Sequence, residues 1–185
     1  MNKWLSEFNI GTHFETKRYG GSTSALVQKD EKLINLSDLG YGITELVPII
    51  LSIVLANHNK VEVILIEEPE CNLHPNFQSK IADLIVDASK EFGVQFIIET
   101  HSEYLIRRTQ ILVQENSVLY HQKIKLYYFT NQNSDISLDK NKQNPDQDRI
   151  YEIKYNKQGL LDKKFMDGFL NEAALLNYKL QKGIK

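Results

Sequence analysis

The segment at residues 61–75 constrains this chain most, because an apolar run ends there abruptly in paired carboxylates. Val61 to Ile66 are mostly β-branched or leucine, which predicts a short strand buried on both faces of a parallel sheet. Glu67 and Glu68 follow at its carboxyl end, the edge where open α/β sheets bind ligands. Adjacent carboxylates repel unless a cation or a shared proton neutralises them. The pattern predicts a divalent metal there, and the alternative is an ordinary solvent-facing loop.

A second strand with a polar end follows one helix later. The range 75–92 has apolar side chains at helical spacing with proline in its first turn, and Gly93 ends the helix. Residues 94–98 then predict another buried strand, which closes on Glu-Thr-His-Ser with His101 as its third residue. A strand, a helix and a strand form one right-handed crossover unit. We therefore expect both glutamates and His101 at the same edge of one sheet.

The order of these motifs resembles that of ABC-type ATPases. Residues 64–70 resemble the Walker B strand with its catalytic glutamate, 72–74 the D-loop, and 99–102 the strand of the switch histidine. Glu-Glu-Pro-Glu followed by Leu-His-Pro is similar to the DNA-associated prokaryotic AAA-type ATPases related to the OLD, RecF and SMC-like proteins. The resemblance is strong over 36–102 and weaker at 167–172. It implies an α/β fold, the carboxyl-terminal part of an ABC-type P-loop nucleotide-binding domain with a parallel sheet flanked by helices.

A glycine-containing run precedes the Walker B-like strand. Residues 37–42 read Ser-Asp-Leu-Gly-Tyr-Gly and lead into a predicted helix at 44–56, which the serine or the aspartate can cap. Glycines before a helix amino end form an anion site, whereas the plain alternative is a capped core helix with a turn before it. In this position the run resembles the ABC signature motif, which contacts the γ-phosphate held by a partner. The residues implied in that contact are Ser37, Gly40 and Gly42.

The resemblance also implies roles for the remaining motif residues. Glu67 stands where the family has its Mg²⁺-linked aspartate, Glu68 is the catalytic base, and His101 is the switch. Asn72 and His74 belong to the D-loop, which contacts a partner. Glutamate in place of aspartate moves the carboxylate outward by one methylene, which permits metal ligation through water.

No Gly-x-x-x-x-Gly-Lys-Ser/Thr motif occurs in the chain, and Gly-Gly-Ser-Thr-Ser at 20–24 predicts a plain turn. ATP and Mg²⁺ are therefore expected only in a composite site completed by a Walker A-bearing segment or a partner ATPase subunit. Because phosphate positioning dominates phosphoryl transfer, we expect no turnover by the isolated chain. Three functions stay open: an ATPase module in DNA maintenance or phage defence, a silent interaction subunit, and a metal-dependent nuclease using Glu67, Glu68 and His101.

Length and charge set the remaining expectations. The chain has 185 residues, which predicts one domain. Its net charge of −2 gives no general attraction to nucleic acid, so nucleic acid is expected as an indirect partner at most. No apolar run is long enough to span a membrane, and a single cysteine fits a cytoplasmic protein. The predicted regions are a β-hairpin region at 1–35, the motif core at 36–130, a flexible loop at 131–148, and a terminal strand and helix at 149–185.

Elements after the switch histidine are predicted from periodicity alone. We expect a helix at 103–114, strands at 124–130 and 149–155, and a helix at 165–180.

Overall fold

The chain combines helices with both parallel and antiparallel strands. The computed structural model describes residues 1–116, 122–129, 150–163, 165 and 169–182. These form two compact units, Met1–Arg108 and Thr109–Lys185. The predicted α/β class is confirmed at this level, although the parallel sheet has only two strands among the described residues. The expectation of a single domain stays a prediction.

The first unit begins with a helix that the sequence analysis did not predict. Helix α1 spans Asn2–Glu7, where short strands and turns were expected. Leu5, Phe8 and Ile10 are fully buried, and the Phe8 ring packs edge-on against Phe77 at 5.7 Å between centroids. Burial of these side chains against the rest of the unit stabilises a helix whose own sequence gives a weak local signal.

The antiparallel sheet that follows was predicted as a hairpin and has three strands. They are β1 His13–Tyr19, β2 Ser22–Lys29 and β3 Lys32–Asn35, in the order β1-β2-β3. Gly20 and Gly21 connect the first two strands, so the plain turn predicted at 20–24 is confirmed for the two glycines, whereas Ser22 to Ser24 belong to β2.

Helix α2 spans Tyr41–Asn59 and begins three residues before the predicted start. A 3-10 turn at Leu36–Leu39 precedes it, capped by the Asn35 side chain. The expected capping of α2 by Ser37 or Asp38 is wrong, because Gly40 is the N-cap residue and no side chain caps the helix. The Ser37 hydroxyl instead donates to the Asp38 carboxylate at 3.2 Å.

The motif region folds as the expected crossover. Strand β4 spans Val63–Glu67, α3 spans Pro75–Phe92, and β5 spans Gln95–Glu99. Pro75 is in the first turn of α3 and Gly93 follows its last turn with φ +70°, as predicted. The two strands pair in parallel, with Glu67 opposite Glu99.

The prediction that these strands are buried on both faces is wrong. Ile64, Ile66 and the side chains opposite them in β5 are half-buried, but Leu65 is 74% exposed and Ile97 53% exposed. Leu65 and Ile97 lie opposite each other on one face of this narrow sheet, and the described part of the first unit leaves both side chains exposed.

Helix α4 spans Glu103–Glu115, and the boundary between the two units falls within it. Among the described residues no helix combines the length and the apolar character needed to cross a bilayer.

The second unit contains an antiparallel pair of strands and a terminal helix. They are β6 Leu126–Phe129, β7 Ile150–Ile153 and α5 Glu172–Lys182. The helix predicted from residue 165 therefore begins seven residues later.

Aromatic packing accounts for two of the residues predicted inside that helix. Phe165 and Phe169 pack against each other and against Tyr128, at centroid distances of 4.9 to 6.3 Å. The predicted flexible loop and Asp167–Gly168 lie outside the described residues.

Candidate functional site

Three side chains meet at the carboxyl ends of the two parallel strands. His101 Nε2 lies 3.1 Å from an oxygen of Glu99 and 3.5 Å from an oxygen of Glu68. One ligand atom of each residue lies within 4.8 Å of the others, so the set could hold a metal ion. All three side chains are open to solvent, with 73% of His101 exposed. We refer to Glu68, Glu99 and His101 as the carboxylate–histidine cluster.

The backbone of Glu68 leaves the strand in an unusual conformation. Its φ is +43°, in the left-handed region that residues other than glycine rarely adopt. Its amide N–H donates to the Glu99 carbonyl at 2.9 Å, which holds the first residue after β4 against the end of β5. Such a conformation costs about 1–3 kcal/mol and persists only where surrounding contacts impose it. From this backbone position an oxygen of the Glu68 carboxylate lies 3.5 Å from His101 Nε2.

Glu67 is separate from this cluster. It is the last residue of β4, it is exposed, and it lies opposite Glu99 in the strand register. No hydrogen bond or ion pair of its side chain is found among the described residues. The predicted convergence is therefore confirmed for Glu68 and His101, with Glu99 joining them instead of Glu67. The roles assigned to these residues stay predictions.

Glu70 is a member of the site that the sequence analysis did not single out. Its side chain is only 8% exposed, and its Oε1 accepts the His101 backbone N–H at 2.6 Å. Its Oε2 is buried without a hydrogen-bond partner among the described residues. A charged acceptor makes a strong hydrogen bond, so Glu70 fixes the backbone that carries the imidazole. The feature of the sequence that could have indicated Glu70 is the repetition of glutamate in Glu-Glu-Pro-Glu.

Cys71 also contacts the cluster. Its thiol donates to Glu68 Oε2 at 3.0 Å. This hydrogen bond, followed by desolvation and the charge of Glu68, raises the pKa of Cys71 from 9.0 to about 11. A thiol with so high a pKa is protonated at neutral pH and therefore a poor nucleophile.

The D-loop-like turn packs against the signature-like run. Asn72 has φ +57° and its amide donates to Glu45 of α2 at 3.1 Å. A Cβ on Gly42 would lie 2.4 Å from the Asn72 carbonyl oxygen and 2.9 Å from Leu73. Gly42 is therefore required for close backbone approach within the chain, a role different from the predicted phosphate contact. The phosphate role itself is not tested by this geometry.

The other candidate binding residues lie at the surface of the same region. Ser37, Gly40, Asn72 and His74 are exposed, and Gly42 is half-buried. His74 is the N-cap residue of α3, and its Nδ1 accepts the Asn76 N–H at 3.3 Å. The N-terminal end of α2, where the helix dipole is positive, has no side-chain cap and begins at the exposed Gly40.

Gln78 of α3 connects the D-loop-like turn to the loop that carries His101. Its amide donates to the Leu73 carbonyl at 2.9 Å, and its carbonyl accepts the Ser102 hydroxyl at 2.7 Å. Ser102 is buried, and its oxygen accepts the Leu105 N–H at the start of α4. These bonds make the two motif loops parts of one hydrogen-bonded assembly.

The arrangement can bind a cation or move a proton. No lysine or arginine in the described ranges pairs with Glu67, Glu68 or Glu99. The basic group close to Glu68 and Glu99 is the imidazole of His101. Carboxylates placed this closely gain from a divalent cation or a proton. Their oxygens are the donors that Mg²⁺ prefers.

Comparisons with known proteins point to one family. The sequence pattern of the AAA ATPase domain matches residues 2–106, nearly the extent of the first unit. None of the curated proteins matches the chain. A solved structure from work on the ATP-driven dimerization and DNA-stimulated activation of SMC ATPases matches with a TM-score of 0.51. The match covers 97% of this chain and 96% of that chain at 11% identity, so it is a likeness of fold.

Proposed function

This chain belongs to the AAA ATPase domain family, and we propose from that premise that it is the ATP-binding and ATP-hydrolysing module of an ABC-type ATPase. In this proposal the chain supplies the Walker B-like, D-loop-like, signature-like and switch-histidine segments. A Walker A-bearing segment or partner subunit supplies the phosphate-binding loop that is missing from its 185 residues. The whole acts in DNA maintenance or phage defence.

The observation that carries the proposal is the carboxylate–histidine cluster at the ends of two adjacent parallel strands. Glu68 lies 3.5 Å from His101 across the end of the sheet, and Glu70 holds the His101 backbone. In phosphoryl transfer the protein positions a water and stabilises charge rather than forming bonds itself. A carboxylate beside an imidazole can orient a water and hold its proton. Glu68 is the proposed base and His101 the proposed sensor of the terminal phosphate.

Bound Mg-ATP would supply the reactive phosphoanhydride and the cation that neutralises its charge. Glu67 is the residue of this chain proposed to hold the cation, directly or through water, because its carboxylate has no partner among the described residues. Ser37, Gly40 and the open amino end of α2 are the groups proposed to meet a phosphate across an interface.

The exposure of the cluster supports a composite site. With 73% of His101, 46% of Glu68 and 52% of Glu99 accessible, water reaches all three side chains of the cluster. Preorganised charge stabilises a transition state strongly only where bulk water is excluded. A partner that covers this edge would therefore be needed for turnover.

The biological setting rests on the resemblance and on the fold. The matched SMC ATPase dimerizes with ATP and is stimulated by DNA. The net charge of −2 gives this chain little attraction for nucleic acid, so in our proposal DNA acts through the partner.

The test is to mix the chain with a Walker A-bearing ATPase subunit of its source organism and measure phosphate release. We expect turnover only in the mixture, and its loss with Glu68→Gln, which should also prolong ATP-dependent association because hydrolysis is blocked. Glu62→Gln, at an exposed position just before the same strand, is the matched control and should behave as wild type. Association that ignores both ATP and Glu68→Gln would favour the interaction-subunit alternative.

A metal-dependent nuclease is the second candidate, because two carboxylates and an imidazole within 4.8 Å could hold a divalent ion without nucleotide. Nuclease assays with Mn²⁺ or Mg²⁺ and no ATP separate this function from the first. Activity that Glu99→Gln abolishes would favour it, and no cleavage by the isolated chain would exclude it.

A further inference from the structure

The outward face of the β6–β7 pair carries aromatic rings next to lysines. Exposure alternates along the first of these strands, with Lys125, Tyr127 and Phe129 exposed and the residues between them half-buried. Phe129 is 69% exposed and Tyr127 50%, and the register places β7 residues opposite both rings. We term the following set the lysine–aromatic face: Lys125, Tyr127, Phe129, Ile150, Glu152 and Lys154.

The opposite face of the same strands is the packed one. Tyr128 contacts the rings of Phe165 and Phe169, and Ile153 is only 2% exposed. The aromatic side chains of the outward face are therefore not needed for the core of the second unit. Phe129 and its cross-strand neighbour Ile150, which is 54% exposed, form a contiguous apolar patch with Tyr127. Contiguous exposed apolar side chains are typical of a binding surface.

The charge of the second unit favours an anionic ligand for this face. Residues 109–185 contain 12 lysines and arginines against 9 aspartates and glutamates, whereas residues 1–108 contain 10 against 15. The net charge of −2 for the whole chain thus conceals a basic second unit.

The same excess of positive charge is found on the face itself. Its one carboxylate, Glu152, lies 3.8 Å from the Lys154 ammonium group. Lys163 donates to the Glu152 carbonyl at 2.9 Å, which brings another ammonium group beside the strand. No ion pair of Lys125 is found among the described residues. Its charge is therefore open to an anion.

We propose that the lysine–aromatic face binds single-stranded DNA, with unpaired bases stacked on Tyr127 and Phe129 and phosphates beside Lys125 and Lys154. Every base has a flat surface that stacks on an aromatic ring, and lysines follow the phosphates of the backbone. A duplex buries those surfaces in its own stack, so exposed rings favour an unpaired strand. The two rings are about 7 Å apart along the strand, and each can hold one base.

A second copy of this chain is a poorer occupant of the face. Two such faces in contact would bring four lysines together with two glutamates, and like charges at an interface oppose association. A strand of phosphates meets the same lysines with opposite charge.

This inference goes beyond the proposed function. The AAA ATPase domain pattern ends at residue 106, before the second unit begins. The proposed function reaches DNA through a partner, and the lysine–aromatic face adds a contact of the chain itself. Only the choice of DNA over RNA rests on the setting in that proposal. The binding needs neither ATP nor a partner.

The test is to titrate a fluorescently labelled oligothymidylate with the full chain, without ATP, and to follow its anisotropy. We expect binding that Tyr127→Ala and Phe129→Ala each weaken about tenfold, the loss expected for one stacked base. Tyr19→Ala removes a tyrosine of similar exposure, 60%, from β1 and is the matched control that should bind as wild type. The same affinity in all three variants would overturn the inference.

The salt dependence of binding tests the phosphate contacts. Lys125→Gln should reduce the slope of log affinity against log salt by about 0.7, the value for one phosphate contact on a single strand. Lys32→Gln changes an exposed lysine of β3 and should leave the slope unchanged. An unchanged slope in Lys125→Gln would refute the assignment.

Phe129→Trp keeps an aromatic ring and detects stacking directly, so the inference stays testable even if an alanine variant misfolds. Its tryptophan emission should fall as oligothymidylate binds, and wild type, whose one tryptophan is Trp4 in the first unit, is the control. Unchanged emission at saturation, tighter binding of the matching oligouridylate or of duplex DNA, or no binding would each overturn the inference. Because neither ATP nor a partner enters this test, its failure would leave the proposed ATPase function standing. Absence of turnover in the partner mixture would likewise leave the DNA contact standing.

Discussion

The buried carboxylate of Glu70 is the contact whose removal we expect to disturb the site most. Its Oε1 accepts the backbone N–H of His101 at 2.6 Å, and the side chain is 8% exposed. Glu70→Ala takes away the acceptor and leaves that N–H without its partner. Glu70→Gln keeps an acceptor oxygen of the same reach and removes the charge.

The expected change in unfolding free energy on Glu70→Ala is the sum of two opposing contributions. A hydrogen bond to a charged group contributes about 1.5–3 kcal/mol to stability. Glu70→Ala also removes a buried carboxylate oxygen that has no partner among the described residues, whose desolvation opposes folding. We therefore expect the loss in unfolding free energy to lie near the lower limit, about 1.5 kcal/mol. Glu70→Gln should lose less than about 1 kcal/mol, because the neutral hydrogen bond is weaker but still forms.

The assay uses the single tryptophan, Trp4, which lies in the first unit and reports its urea unfolding by fluorescence. In parallel, the amide resonance of His101 in a ¹⁵N-labelled sample should move upfield in Glu70→Ala and much less in Glu70→Gln. Glu62→Ala, which changes an exposed glutamate just before β4, should stay within about 0.5 kcal/mol of wild type. An unchanged His101 amide together with wild-type stability in Glu70→Ala would refute the positioning role.

Two further changes test contacts around the cluster. At pH 8, Glu68→Gln should speed alkylation of Cys71 by roughly tenfold, because the pKa of Cys71 falls from about 11 toward 9.0 and more of the thiol is ionised. The lower nucleophilicity of the less basic thiolate offsets part of this gain. Equal alkylation rates in the variant and the wild type would contradict the hydrogen bond between the thiol and Glu68. Gly42→Ala should destabilise the first unit by about 1–3 kcal/mol, since its Cβ would meet the Asn72 carbonyl at 2.4 Å. Gly21→Ala is the control and should be tolerated, because open space surrounds that position. Equal urea midpoints for the two alanine variants would show that the turn at Asn72 shifts without cost and would contradict the prediction.

Features with local signals were predicted well. Proline in the first turn and glycine after the last gave helix α3 its observed bounds, Pro75–Phe92. The crossover unit followed from the spacing of two apolar runs, and it placed Glu68 and His101 at one edge of the sheet.

Features that depend on distant partners were missed. Helix α1 is followed at once by Phe8, whose ring packs against Phe77, far along the chain. Glu70 accepts a hydrogen bond from a backbone amide 31 residues away, and the repeated glutamates beside it do not indicate which partner it has. The exposure of Leu65 and Ile97 was missed because an apolar run predicts a buried strand whether or not the chain itself covers both faces of the sheet.

The close approach of Gly42 to the Asn72 carbonyl has an evolutionary consequence. A homologue with any side chain at this position must also have moved the turn at Asn72 and Leu73, because the nearest atom is backbone and cannot rotate away. The two positions are 30 residues apart in sequence, yet substitutions at them should be accepted only in pairs. Lineages that retain the glycine should also retain a residue able to adopt a positive φ at position 72, where asparagine has φ +57°. Substitutions in the signature-like run and in the D-loop-like turn should therefore be correlated among homologues.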